Sequence, residues 1–390
     1  MVLLVGEIGG ESNRIALFSH KFIHEEEGGT KGRIGVDEML VCQSFISSDY
    51  SEHRNNGTEI LQQCIKKFLD ENYSNRGLEP IYGACFSIAG PIDSDGTARI
   101  DRDKFKATFT AKDLNVNLPF KTVPISLLND MEAIGYSIFL GDGEKQLESL
   151  FHDEFKPSPS DRRALMLVSA GLGHALWQWD ERKRSLRPTP SEGGHGDFAD
   201  PTHDKKLSIY LETIKRENGD ESPISYEYIL SSNGLLRIYD FLASTGSYNE
   251  YVLDLTSLVK NQVAEENKKE LAQIIIEKAT QLNPMPICKD ALDLFISVWG
   301  AEAGNLALRF TASGGVYIGG SLPIPLEKLK DGSLRQSFIN KEGKFKKDNS
   351  RIPVKRYNDP DIALWGAVRY ALEEGFVVKG KFAIAMLEQQ

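Results

Sequence analysis

Short, continuous apolar runs closed by glycine or proline alternate along this chain with longer stretches whose apolar positions recur at helical spacing. Val2-Leu-Leu-Val5 reads as a buried strand, Gly6-Glu-Ile-Gly-Gly-Glu-Ser-Asn-Arg14 as a glycine turn and Ile15-Ala-Leu-Phe18 as a returning strand. A hairpin is therefore expected over 2–18, with its glycines at the tip, where the backbone can approach a ligand closely. A plain hairpin turn is the blander reading of the same glycines. His24–Arg33, with its acidic run, reads as a solvated loop. Ile60, Leu61, Cys64, Ile65, Phe68 and Leu69 follow the helical period and predict an amphipathic helix over Thr58–Tyr73. Ile81–Ala89, closed by Gly90-Pro91, is another buried strand. These pieces predict an α/β unit over roughly the first 125 residues.

Pro124-Ile-Ser-Leu-Leu-Asn-Asp-Met-Glu-Ala133 is the stretch on which the rest turns. Its apolar start reads as a strand, and Met131–Phe139 continues with helix-like spacing, so Asn129 and Asp130 stand at a strand-to-helix junction. Taken alone, an Asx pair there is a helix cap. Asp142–Asp161 is polar and reads as a linker or surface excursion. Arg163–Trp179 then repeats the opening pattern of strand, glycine turn and strand, which suggests a duplicated fold with one phosphate-facing turn in each half. Ser191–Phe198 is a glycine-rich loop holding Glu192 and His195. A lone histidine in such a loop is usually a local hydrogen-bonding group.

Lys205–Thr280 is largely helical by period, with one helix predicted to end near Asn233-Gly234. Ala291–Arg309 is a further helix, with Phe295, Val298, Trp299, Ala303 and Leu306 on one face. Ser313–Ser321 is a short strand bracketed by glycine pairs, and Ile362–Leu372 is a late helix expected to pack back on the body.

Composition narrows the function classes. The chain has 390 residues, 41% of them hydrophobic and 26% charged, which is ordinary for a soluble globular protein of two or three domains. No apolar run approaches the ~20 residues of a membrane span. The start, Met1-Val-Leu-Leu-Val-Gly-Glu7, lacks the basic opening and cleavage site of a signal peptide. Cys42, Cys64, Cys85 and Cys288 are scattered, which argues against a zinc site and suits a reducing cytoplasm. A net charge of −10 argues against nucleic-acid binding.

Six motifs in order resemble those of the bacterial-type glucokinases, within the hexokinase and actin-like ATPase superfamily. Glu7-Ile-Gly-Gly-Glu-Ser-Asn-Arg14 is similar to the first phosphate motif Asp-x-Gly-Gly-Thr-Asn-x-Arg, and Asn129-Asp-Met-Glu-Ala133 matches the sugar motif Asn-Asp-x-x-Ala. Ser169-Ala-Gly-Leu-Gly173 resembles the second phosphate motif Gly-Thr-Gly-Leu-Gly, and Glu192-Gly-Gly-His195 the sugar loop. Glu227-Tyr-Ile-Leu-Ser-Ser232 resembles the family helix with Glu before Val-Leu-Ser-Gly. Gly314-Gly-Val-Tyr-Ile-Gly-Gly-Ser321 resembles the adenosine-side motif, with Ser321 in place of the last glycine.

The resemblance implies an α/β, two-lobed, actin-like ATPase (ribonuclease H-like) architecture with a cleft between the lobes. The small lobe is expected over 1–127, completed by a C-terminal helix at 368–390, and the large lobe over 128–367. It implies transfer of the ATP γ-phosphoryl group to the 6-hydroxyl of glucose, with Asp130 as general base and Asn129, Asp130, Glu192, His195 and Glu227 holding the sugar. Carboxylates accept hydroxyl hydrogen bonds and an amide both donates and accepts, so these side chains suit a sugar. On the nucleotide side it implies Glu7, Gly9, Gly10, Arg14, Gly171, Gly173, Gly315, Gly319 and Gly320, with Glu7 toward Mg²⁺. A homodimer is also implied. The chain departs from the family at Glu7, Glu11, Ser169 and Ala170, and a carboxylate at 11 facing ATP phosphates would repel them. Those departures keep open a sugar-binding protein on the same fold with a degraded donor site.

Overall fold

The structure is a computed structural model that describes residues 2–372, except 10–11, 24–32, 47–55, 75, 103–104, 116–122, 140–146, 153, 201–204 and 252–267. The chain divides into two compact units, the first comprising 1–145 and 359–390 and the second 146–358. The expected junction at 127/128 thus falls inside the first unit, within the strand Ile125–Asn129.

In the first unit, β1 (Val2–Ile8) and β2 (Ser12–Ile23) form the expected hairpin, and β3 (Arg33–Ile46) extends it. The sheet order is β3-β2-β1-β4-β7, with β4 at Ile81–Ile88 and β7 at Ile125–Asn129. β2 runs antiparallel to both β1 and β3, whereas β1, β4 and β7 are parallel. Antiparallel neighbours need only a tight turn, but parallel ones need a crossover, and α1 (Gly57–Asn72) lies in that crossover. Its predicted stripe of Ile60, Leu61, Cys64, Ile65, Phe68 and Leu69 is buried in the core of this unit. β5 (Ala98–Arg102), β6 (Phe105–Phe109) and the short α2 (Ala111–Asn115) complete the path to β7. α3 (Asp130–Phe139) follows, and the helix Ile362–Tyr370 packs on it through Tyr136 and Tyr370, 5.1 Å between ring centres. Of the C-terminal helix expected over 368–390, residues 373–390 lie outside the described residues, as do most of the loop expected at 24–33 and Gly10 and Glu11.

The second unit's sheet has the order β11-β10-β9-β12-β13-β8. β9 (Arg163–Val168) and β10 (Leu172–Asp180) form the second expected hairpin, and β11 (Ser185–Ser191) extends it. β12 (Val316–Gly320) runs parallel to both β9 and β13 (Val354–Arg356). An antiparallel three-strand meander followed by two parallel strands therefore occurs in both units, the duplication that the two glycine-tipped hairpins predicted.

Two expectations need correction here. The polar stretch at 142–161 is not all linker, because Glu148–Phe151 forms edge strand β8, antiparallel to β13. Arg356 Nε donates to Glu148 Oε2 at 2.5 Å across that pair, so the charged residue on the edge strand has its partner. The helix expected to end at Asn233-Gly234 instead begins there. A single turn, α5 (Tyr226–Ile229), stops at Leu230, and α6 (Ser232–Ser244) starts with Ser231 accepting from Gly234 N–H at 3.1 Å. Gly after a periodic run marks a helix end only when no capping serine precedes it, and here one does. α4 (Lys206–Glu217) and the helix Pro286–Phe310 enclose the core of this unit; the latter starts before the predicted Ala291, with proline in its first turn.

Candidate functional site

In the first unit, the β7–α3 junction turns Asn129 and Asp130 into a cap. Met131 N–H lies 2.9 Å from Asn129 Oδ1 and 2.8 Å from Asp130 Oδ1, and Glu132 Oε2 accepts from Asn129 N–H at 3.1 Å. Glu132 thus supplies the returning half of a capping box, while Asn129 caps the second helical N–H rather than the third. Asn129 Nδ2 also donates to Gly90 O at 3.1 Å, tying the junction to the end of β4. The capping and functional readings are compatible, because a carboxylate has more than one lone pair and Asp130 stays half-buried rather than enclosed. Burial raises the carboxyl of Glu132 above its ordinary range.

The β1–β2 register sets Glu7 opposite Arg14, with Arg14 Nη1 3.3 Å from Glu7 Oε2. Arg14 also pairs with Asp361 and donates to Pro360 O at 2.6 Å, just before the helix Ile362–Tyr370. Arg14, expected on the nucleotide side, is thus bracketed by two carboxylates. Burial raises the Glu7 carboxyl, and Arg14 opposes that shift. Gly9 N–H closes the hairpin on Ser12 O at 3.2 Å. Among the described residues no group of three or more His, Cys, Asp or Glu is placed to hold a metal. Mg²⁺ bound with a nucleotide needs only one or two carboxylates plus phosphate oxygens, so the Glu7 donor set fits that requirement.

In the second unit, the sugar-loop residues do come together. Glu192-Gly-Gly-His195 folds as a short 3-10 turn, with His195 Nε2 3.8 Å from Glu192 Oε2 and His195 Nδ1 4.0 Å from Glu227 Oε1. Glu192 and His195 are exposed, with side chains 70% and 59% accessible, while Glu227 is 24% accessible. Backbone bonds join the loop to α5: Tyr226 N–H to Gly196 O at 2.9 Å and Phe198 N–H to Ile224 O at 2.7 Å.

Glu227 is mounted rigidly. Ser225 caps its helical turn, Arg237 lies 3.6 Å over the Tyr228 ring and Arg237 Nη1 donates to Tyr228 O at 2.7 Å. Tyr226 Oη accepts from Asn305 Nδ2 at 3.1 Å, which also donates to the fully buried Glu302, a partner of Arg309. Sequence reasoning missed this support because Asn305 lies 79 positions from Tyr226 and carries no motif.

Gly171 and Gly173 flank Leu172 in the β9–β10 turn, closed by Ser169 N–H to Gly171 O at 2.9 Å. β12 runs beside β9, and Ser321 N–H reaches Val168 O at 3.2 Å, so Gly319 and Gly320 lie at the same sheet end as this turn, whereas Gly315, whose carbonyl accepts from Ala164 N–H at 3.0 Å, lies at the opposite end. Gly319 and Gly320 have a packing reason as well. A Cβ at 319 would come within 2.2 Å of the Tyr357 ring, and one at 320 within 1.8 Å of Val168 O. Gly315, at φ +119°, turns the chain into β12. His174, directly after the turn, is fully buried beneath Gly193, and burial pushes its imidazole down to about 4.

Two α/β units with repeated hairpin-led sheets give the chain the actin-like ATPase fold, and its relatives make it a sugar kinase. The chain belongs to the glucokinase family, whose model, described as Glucokinase, matches residues 4–374. It is 29% identical over 348 residues to a glucokinase of Nostoc sp., covering 87% of this chain and 95% of the relative. It is 30% identical over 375 residues to that of Nostoc punctiforme, covering 94% and 97%. The fold is shared with the glucokinase of Balamuthia mandrillaris solved with glucose, at TM-score 0.68, 21% identity and coverage of 94% and 92%. It is shared too with a ROK family glucokinase of Streptomyces griseus solved with glucose and AMPPNP, at TM-score 0.57, 15% identity and coverage of 94% and 98%. No described helix is long and apolar enough to cross a membrane.

Proposed function

We propose that this protein phosphorylates the 6-hydroxyl of glucose with ATP, with Asp130 as the base. The observation that carries this reading is the gathering of Glu192, His195 and Glu227, with His195 3.8 and 4.0 Å from the two carboxylates, and Asn129 and Asp130 at the strand–helix junction of the first unit support it. Relatives and solved structures named as glucokinases, one holding glucose and another glucose with AMPPNP, support it.

Asp130 accepts the hydroxyl proton as the sugar oxygen forms its bond to the γ-phosphorus and the bond to the bridging oxygen of ADP breaks. Asn129, Glu192 and Glu227 orient the sugar by its other hydroxyls, and His195 braces the two glutamates. The backbone N–H of Gly171 serves the nucleotide phosphates, Gly173 keeps the turn narrow, and Gly9, Gly10, Gly319 and Gly320 complete that side. Glu7 would hold the Mg²⁺ that accompanies the nucleotide, and that ion would supply neutralisation of phosphate charge. Arg14 holds Glu7 in place and stays on the nucleotide side as a counter-charge. A homodimer in a reducing cytoplasm, consistent with four free cysteines, completes the proposal.

The test is a coupled assay for glucose 6-phosphate with Mg·ATP, beside Asp130→Asn. Removing a general base lowers turnover by about 10²–10⁴-fold. Glucose affinity should change little. An Asp130→Asn protein that turns over at the native rate would end the assignment of the base; a native protein that binds glucose without turnover would end the kinase reading.

A further inference from the structure

The four-residue turn Ser169–Leu172 is held at both ends by one neighbouring segment. At its entry, Ser169 O accepts from Ser232 N–H at 2.8 Å and from Ser232 Oγ at 3.2 Å. At its exit, Leu172 N–H donates to Glu227 Oε2 at 3.0 Å. Both partners sit on the α5–α6 segment, and both bonds are part-buried: Ser232 is 5% exposed and Leu172 6%, while Ser169 and Glu227 are half-buried. The bond to Glu227 is charge-assisted and so the stronger of its kind.

The segment itself is fixed from elsewhere, by Arg237 on Tyr228 and by Asn305 and Glu302 under Tyr226. The segment therefore positions the turn rather than the reverse. Glu227 thus carries two duties on two oxygens. Oε1 lies 4.0 Å from His195 in the sugar loop, and Oε2 holds the turn. The hydroxyl of Ser232 stands where the resembling family motif has glycine, so this chain has a strap which that motif lacks.

We infer that Glu227 and Ser232 are positioning residues for the Ser169–Leu172 turn, so that Glu227 supports binding of the nucleotide triphosphate as well as of the sugar. This rests on the site reading proposed above. Leu172 N–H is engaged by carboxylate, and Gly173 stands opposite Leu167 in the β9–β10 ladder, so Gly171 N–H is the backbone donor this turn offers a phosphate.

Calorimetric titration of the full chain with Mg·AMPPNP in the absence of sugar, and separately with glucose, tests the inference. One such hydrogen bond is worth about a fivefold change in affinity. Ser232→Ala should weaken the analogue by about that factor and leave glucose within about twofold. Glu227→Ala should weaken both ligands, the analogue even with no sugar present. Loss of glucose binding in Glu227→Ala with analogue affinity unchanged would confine Glu227 to the sugar and overturn the inference. So would Ser232→Ala with both affinities at the native value, a result that needs no Glu227 variant to fold. A native protein that binds the analogue but not glucose would remove the sugar reading alone, since the analogue arm still reports on the turn.

Discussion

At the scale of single residues, the least expected group is His174. It has no accessible surface, and neither ring nitrogen has a hydrogen-bond partner among the described residues. Desolvation is the first cause of its lowered pKa, to about 4, with Arg309 adding to it. Between about 4 and the ordinary 6.5 the unfolded chain binds a proton that the folded chain refuses, so stability is present above 6.5 and lost as pH falls toward 4. The full effect is roughly 3 kcal/mol, since each tenfold loss of proton affinity is worth about 1.4 kcal/mol. His174→Met should therefore flatten the fall in melting temperature between pH 6.5 and 4 relative to the native protein, and an unchanged slope would dismiss His174 as its source. Arg14 teaches a second lesson at this scale. In the motif it reads as a counter-charge for phosphate, yet Asp361, 347 positions away in sequence, and Glu7 hold it between them.

At the scale of elements, the junctions matter more than the strands and helices they join. α3 is capped by the same Asn129 and Asp130 that the site needs, so one local motif serves folding and chemistry. The α3 face is closed by the helix Ile362–Tyr370, and contact is so tight that a Cβ at Gly366 would sit 1.6 Å from Ala133 O. Gly366→Ala must therefore part the two helices, at a cost of roughly 2–3 kcal/mol. Denaturant unfolding reads this directly; a midpoint equal to the native one would contradict the packing. Ser231 and α6 show why the helix boundary departs from its local signal. Asn-Gly after apolar residues signals a stop, but the tyrosine-rich turn before it is separately anchored, and the capping serine restarts the helix.

At the scale of the whole molecule, each unit has its own hydrophobic core. A ligand at a hundred times its Kd stabilises the folded state by about 2.7 kcal/mol. Glucose should accordingly raise the melting temperature of the native protein and of Asp130→Asn, and fail to do so in Glu192→Ala or Glu227→Ala at the same concentration. Equal shifts in all four proteins would place the sugar elsewhere.

Much of this was legible in the chain because the signals are local. Glycine-closed apolar runs marked both hairpins, helical spacing marked α1, and the Asx pair marked the β7–α3 junction. The same locality explains the omissions. β8 is short and polar, and becomes a strand only because β13 lies beside it. Asp361 and Asn305 carry no motif of their own, and their partners are 347 and 79 positions away. By itself, then, the sequence determined the two duplicated hairpins and the main helices, since period, capping and turn chemistry act between near neighbours, and its motifs named the candidate sugar residues by resemblance. Only the tertiary structure decided which carboxylate holds Arg14, what mounts Glu227 and what clamps the turn at Ser169–Leu172, because those bonds join groups that only the folded chain brings within reach.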